Sequence, residues 1–178
     1  MSDRLDTTTI AWRRLDADPG IEMVTLRWVE DGFTADGSSI AVDDEGPWIF
    51  RYHLDIDEEW GTRGVWLEST TPAATRQLTL EADGAGGWHV DGEKEPELDG
   101  CIDIDLGGSI FTNTLVIRRL ELAPGASEEL DVVWIGPARL DREVMGQRYT
   151  HLEPASGRER YGYPIARFEH RLRPHRRR

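Results

Sequence analysis

Two carboxylates and two guanidiniums share one short stretch of this chain. From Leu98 to Leu120 it reads LDGCIDIDLGGSIFTNTLVIRRL. Asp103 and Asp105 alternate with Ile102, Ile104 and Leu106. Cys101, the chain's one cysteine, stands just before them. Gly107 and Gly108 break the run, Thr112, Asn113 and Thr114 follow, and Arg118 and Arg119 close it. An Asp-x-Asp pair can flank a glycosidic bond as acid and base, but two residues one apart on a strand point the same way rather than across a substrate. It can bind a divalent ion, but DIDLGG lacks the oxygen-ligand series and closing glutamate of a calcium loop. It occurs in metal-dependent sugar transferases, but no nucleotide-binding βαβ pattern accompanies it here. The reading preferred over catalysis is a structural network in which Asp103 or Asp105 pairs with Arg118 or Arg119, since the guanidinium fork matches a carboxylate.

Other candidates for chemistry are sparse. His53, His89, His151, His170 and His175 are scattered and form no metal-ligating spacing. Cys101 has no local nucleophile signature and reads as a small buried hydrophobe. No Gly-x-Ser-x-Gly elbow or phosphate loop occurs. The glycine-rich ADGAGGWHVDG is not followed by a helix pattern and reads as a tight hairpin. No metal and no cofactor is expected.

The elements that must position these residues are strands. Val24, Leu26 and Trp28 fall at spacing two, as do Trp48, Phe50, Tyr52, Leu54 and Ile56, with Ile49, Arg51, His53 and Asp55 opposite. Val65 and Leu67, Leu78 and Leu80, and Trp88 to Val90 begin further strands. LDVVWIG has little polarity on either face, which places it centrally in a sheet. QRYTHLE and ARFEHRLR alternate again. Turn signals separate them, among them Asp31-Gly32, Asp36-Gly37, Asp83-Gly84, Asp91-Gly92 and Gly136-Pro137. Short helices are expected only near Ser109 to Ile117 and near Ala138 to Met145. Many short strands in one domain over residues 1–178 imply a sandwich or barrel.

Composition bounds the partners. Charged residues make up 31% and the hydrophobic set 38% of 178 residues, a globular composition with enough length for a sizeable core. No apolar run approaches the ~20 residues that span a bilayer, and MSDRLDTTTIAWRRLD has no apolar signal core, so a cytoplasmic protein is expected. The net charge of −13 disfavours nucleic acid and anionic surfaces. Residues 158–178 alone carry +6, leaving −19 on the rest, and are expected to form a solvated basic tail.

The pattern L-x-G-C-x-D-x-D-L followed by F-T-N-T-L-x-I-R-R-L resembles the signature of a bacterial glycolipid-binding family, formerly a domain of unknown function. PWIFRYHLDIDEEWGTR resembles that family's hydrophobic strand followed by D-x-x-W-x-T-R, carried by Asp57, Trp60, Thr62 and Arg63. RQLTLEADGAGGWHVDG resembles its R-x-L-x-L and glycine turn. Gln147, Tyr149 and Thr150 resemble its Q-x-Y-T. The likeness runs from about Trp28 to about Phe168. Ile110 and Val116 stand where the family usually has proline, and the end, RFEHRLRPHRRR, stands where it tends to finish on a closing strand.

The resemblance implies a mainly β fold: a large curved antiparallel sheet forming an incomplete half-barrel around a short central helix or turn segment, similar to lipoprotein carriers. It also implies a glycolipid-like amphiphile as ligand. Seven tryptophans suit such a wall, although ordinary core filling would use them too. Trp48, Phe50, Tyr52 and Ile56 share one face and are the expected cavity wall. Trp60, Arg63 and Trp88 are the expected rim. Thr112, Asn113, Arg118 and Arg119 are the expected donors to a sugar or an anionic group. Binding is preferred over two alternatives, an enzyme acting on a sugar or lipid through Asp103 and Asp105, and a structural or interaction module.

Overall fold

A computed structural model describes residues 7–14, 19–44, 46–155 and 158–162. Eight strands follow one another as an antiparallel meander: β1 (Thr7–Arg13), β2 (Gly20–Val29), β3 (Gly32–Asp43), β4 (Gly46–Ile56), β5 (Thr62–Thr70), β6 (Thr75–Ala82), β7 (Trp88–Val90) and β8 (Glu93–Lys94). A 3-10 turn, Pro96–Leu98, leads to β9 (Asp103–Leu106), helix α1 (Thr112–Leu120), β10 (Ser127–Ile135), β11 (Arg142–Ala155) and β12 (Arg158–Gly162). These last four strands form a second sheet in the order β12-β11-β10-β9, in which only β9 and β10 run parallel. The two sheets make the expected half-barrel, with one helix.

Period-two patterning carries the large sheet. The apolar face of β4, Trp48 through Ile56, is buried at every second residue, and its ladder partners on β3 and β5 follow the same phase. Gly37 stands opposite Tyr52, and a Cβ there would lie 1.9 Å from the ring, so the glycine lets the tyrosine lie flat over the neighbouring strand.

Within the small sheet, β9 and the end of β10 are buried on both sides, as the sequence leads one to expect for LDVVWIG: Val132, Val133 and Ile135 are all inaccessible. The parallel register sets Ile104 and Leu106 beside Val133 and Ile135, in the core cluster shared with the large sheet. Asp103 and Asp105 take the other face, beside Val132, where α1 meets them through Thr112 and Arg119. The crossover from β9 to β10 requires a covering element, and a nine-residue helix supplies it.

Two expectations need correction. The helix begins at Thr112 rather than Ser109 and extends through Arg118 and Arg119 to a left-handed cap at Glu121, φ 45°. Two guanidiniums in its last turn suit its negative end. Residues 138–145 are not helical: Gly136 N–H donates to Asp141 O and Leu140 N–H to Gly136 O, closing a loop that β11 leaves at Arg142. Leu140 there has φ 60°, which no α-helix accommodates. A closing strand is present as β12, just before Tyr163 and Pro164. The alternation in ARFEHRLR lies outside the described residues.

Candidate functional site

The signature residues assemble into a buried polar layer between α1 and the small sheet. Arg119 donates from both Nε (2.9 Å) and Nη2 to the two oxygens of Asp103, which is 1% exposed. This bond to Asp103 raises the guanidinium's already high pKa, against the effect of burial. Asp105 makes no ion pair with either arginine. It accepts from Gln147 Nε2 at 2.6 Å and from Thr112 Oγ1 at 3.3 Å, while Thr112 Oγ1 accepts the Leu106 N–H. Burial pushes the Asp105 carboxyl up, and those two donors hold it partly down. The layer continues through Tyr149, whose hydroxyl donates within reach of both Gln147 Oε1 (3.0 Å) and Asn113 Oδ1 (2.9 Å). Gln147 and Tyr149 were legible as a motif but not as partners of Asp105. Their phase on β11, opposite Leu130 and Glu128, turns both toward the helix.

A second buried group has no motif at all. Glu22 is 1% exposed and accepts from Tyr52 Oη (2.7 Å), Ser109 Oγ (2.6 Å) and the Ile110 N–H (2.7 Å). It ties the large sheet to the turn before α1. A proline at position 110 would have no N–H to give, so the isoleucine supports this bond. Burial, and then the Glu22 charge, hold the Tyr52 hydroxyl well above 10.0. The available signal was phase: Glu22 shares the inward parity of Val24 and Leu26. Arg14 completes this edge, donating to Gly107 O at 3.1 Å with its guanidinium 5.6 Å from the Trp48 ring centre.

The four residues expected to form a cavity wall do come together. Trp48, Phe50, Tyr52 and Ile56 are 3%, 0%, 2% and 3% exposed, within the core cluster. The central segment fills the concave face against them: a Cβ on Gly108 would lie 2.6 Å from the Phe50 ring, leaving no free space at that point. Trp88 is likewise fully buried, its indole N–H donating to Cys101 O at 2.8 Å. A groove of about 600 Å³ between residues 95–98 and 141–144 is lined by four carboxylates with Arg142, and none of the expected site residues borders it.

The surface near the expected rim is different. Trp28, Phe33 and Trp60 form an aromatic cluster, with ring centres 4.9 Å (Trp28–Phe33), 5.0 Å (Phe33–Trp60) and 6.1 Å (Trp28–Trp60) apart. Phe33 is buried, Trp60 is half-buried and Trp28 is 40% exposed. Arg118, exposed on α1, holds its guanidinium 5.8 Å from the Trp60 ring centre. Trp60 has φ 67°, a left-handed conformation that costs a non-glycine residue about 1–2 kcal/mol. Its turn is braced to hold it there. Asp57 accepts the Gly61 N–H at 2.7 Å and pairs with Arg63 Nε at 2.7 Å. The Arg63 guanidinium in turn lies where a side chain on Gly84 would be. Arg63 therefore braces the rim rather than presenting a free charge.

Two further apolar side chains lie on the same face of the sheet, on β1, with the exposed Thr8 between them and the Trp28 end of β2. Trp28 and Val24 share one phase of β2, and Ile10 on β1 stands opposite Val24. Ile10 is 37% exposed and Trp12 half-buried, while the equivalent positions deeper in the sheet are covered.

The family described as "Putative glycolipid-binding" matches residues 9–177. The chain belongs to this family. The fold is also that of the crystal structure of a DUF1089 family protein from Pseudomonas aeruginosa at 1.80 Å resolution, with 36% identity, a TM-score of 0.72, and 93% of this chain and 86% of that one covered. No curated protein matches the sequence. The match spans the segments from Asp57 to Arg63 and from Cys101 to Arg119, and the geometry above says what each does in the fold. Among the described residues, no helix is long and apolar enough to cross a membrane, and no three His, Cys, Asp or Glu side chains are grouped to hold a metal ion.

Proposed function

We propose that the protein binds a glycolipid-like amphiphile on the concave margin of its half-barrel, with the sugar on the Trp28–Trp60 cluster and the apolar part along Ile10 and Trp12. The observation that carries this reading is the exposed aromatic cluster. Trp28 leaves 40% of a large indole in water next to two other rings, at one end of the inward face of β2. Indole faces stack well on the flat apolar side of a pyranose, and their N–H edges serve its hydroxyls. A tryptophan strained into a left-handed turn and braced by Asp57 and Arg63 is a second mark of a working surface. The family's own description points the same way.

This reading moves the ligand from where the sequence first suggests. Trp48, Phe50, Tyr52 and Ile56 support the wall from within as packed core, and Thr112, Asn113 and Arg119 hold α1 in place. Trp60 and Arg118 remain ligand contacts, joined by Trp28. Nothing favours the enzyme alternative. Asp103 is engaged by Arg119, and Asp105 lies 4% exposed beneath the helix with both oxygens accepting hydrogen bonds.

The test is a titration of alkyl glucosides of rising chain length, each below its micelle concentration, followed by tryptophan fluorescence. Each buried methylene contributes up to about 0.8 kcal/mol, so two added carbons should tighten binding several-fold. Trp28→Ala should weaken binding at least tenfold, and Ile10→Asp should flatten the chain-length dependence. Affinity indifferent to chain length, or unchanged in a folded Trp28→Ala protein, refutes the site.

A further inference from the structure

Arg118 gives this site a chemical preference. Arginines of the described residues are engaged by carboxylates, among them Arg27 with Asp36, Arg51 with Glu68, Arg63 with Asp57, Arg119 with Asp103, Arg142 with Glu95 and Arg148 with Glu129. Arg118 is not among them, although the chain carries 34 acidic residues against 21 basic ones. Its neighbour Arg119 turns inward to a buried aspartate, while Arg118 reaches across from the last turn of α1 to lie over Trp60. A guanidinium held at an aromatic face by cation–π attraction spends none of its N–H groups on a carboxylate, so they remain available as a fork. The ring beneath belongs to the aromatic cluster, so the fork sits at the edge of the surface on which a sugar would stack.

We propose that the head group bound here is an acidic sugar, a pyranose carrying a carboxylate or a phosphate, with the ring on Trp28, flanked by Trp60 whose plane stands at 80° to it, and the anion on the Arg118 fork. This rests on the binding site proposed above and names its ligand class. A neutral sugar would use the platform but leave the fork in water. An anion without a sugar would meet a single exposed arginine on a strongly acidic protein, which favours no binding at physiological salt. The requirement for both parts gives the site its selectivity.

Four probes separate the possibilities: octyl β-glucuronide, octyl β-glucoside, methyl β-glucuronide and inorganic phosphate, titrated by tryptophan fluorescence at low and at high salt. Octyl glucuronide should bind at least tenfold tighter than octyl glucoside at low salt, with the advantage shrinking as salt rises. Arg118→Gln should erase that advantage, weakening octyl glucuronide at least tenfold more than octyl glucoside, and Arg118→Lys, which keeps the charge but not the fork, should retain only part of it. Methyl glucuronide binding within tenfold of the octyl compound would mean that free acidic sugars suffice, and much weaker binding would mean that the acid must come on a lipid. Equal affinity for the two octyl compounds overturns the acidic preference and leaves the amphiphile site standing. Binding of neither overturns both, and inorganic phosphate binding as tightly as octyl glucuronide overturns the role of the sugar platform.

Discussion

Arg118 and Arg119 are adjacent in sequence and should differ sharply when truncated. Asp103 has 1% of its side chain exposed and Arg119 25%. Removing one partner of a buried ion pair typically costs about 3–5 kcal/mol, because the other charge is left without compensation. Water can reach the place vacated by a quarter-exposed guanidinium, so Arg119→Ala belongs near the low end, about 3 kcal/mol. For a chain of this size each kcal/mol moves the melting temperature by about 2–4 °C, which gives a fall of roughly 6–12 °C. Arg118→Ala removes one exposed contact with an indole, about 0.5–1 kcal/mol. Asp103→Ala takes away the buried charge itself and leaves an arginine that can turn to solvent, so it should cost less than Arg119→Ala. The double variant should therefore fall well short of the sum of the singles. Urea unfolding followed by circular dichroism measures all four proteins. Equal stability of the two arginine variants, or strict additivity with Asp103→Ala, would refute the buried pair as the tie between α1 and β9.

Other consequences follow from single contacts. Gly37→Ala and Gly108→Ala each force a methyl into an aromatic ring, Tyr52 and Phe50 respectively, and should each cost about 1–3 kcal/mol by overpacking, read from the same unfolding curves. Trp60→Gly should be more stable than Trp60→Ala by about 1 kcal/mol, the reverse of the usual order, because only glycine takes φ 67° without strain. His53 titrates above its ordinary 6.5: partial burial opposes its charge, but Asp36 at 2.8 Å and Asp55 outweigh that. A raised histidine pKa means that its contribution to stability is present below 6.5 and fades as pH rises through the folded value, with a smaller fade in Asp36→Asn, which leaves only Asp55; nuclear magnetic resonance titration of the ring reads the midpoint directly.

How much of this was legible depends on whether the information is local. Alternation is local, and it marked β4, β10 and the inward faces of the large sheet. The short helix was foreseeable from Thr-Asn-Thr and the apolar run after it, but its exact frame was not. The frame is set by Asp103 meeting Arg119 and Asp105 meeting Thr112, sixteen and seven residues apart in sequence. Residues 138–145 read as helical because their composition permits it. The closure of the loop by Gly136 and Asp141 overrode that weak preference. Glu22 shows the opposite failure, since a charged residue on an inward phase reads as an interruption until its three donors are known. Two of those donors come from residues 109 and 110, far along the chain.

The candidate site was half legible for the same reason. Chemistry-bearing residue types concentrate in the signature, so attention falls there, yet most of them are consumed in holding the signature together. Asp103, Asp105, Thr112, Asn113 and Arg119 satisfy one another or partners on β11, and a satisfied buried polar group has little left to offer a ligand. What remains for recognition is the remainder of that accounting: Trp28, whose ring the core does not cover, and Arg118, which no described carboxylate engages. Neither is conspicuous in the sequence, since Trp28 ends an ordinary alternating strand and Arg118 reads as the twin of Arg119. The helix separates the twins. Neighbours on an α-helix diverge by about 100°, so once Asp103 has drawn Arg119 inward, Arg118 must face out over Trp60. The buried pair therefore aims the exposed charge. This leads to a last expectation: Asp103→Asn, which loosens Arg119 without touching the rim, should weaken octyl glucuronide binding more than octyl glucoside binding. If the two ligands weakened equally, the helix would be anchoring the site as a whole and not directing its arginine.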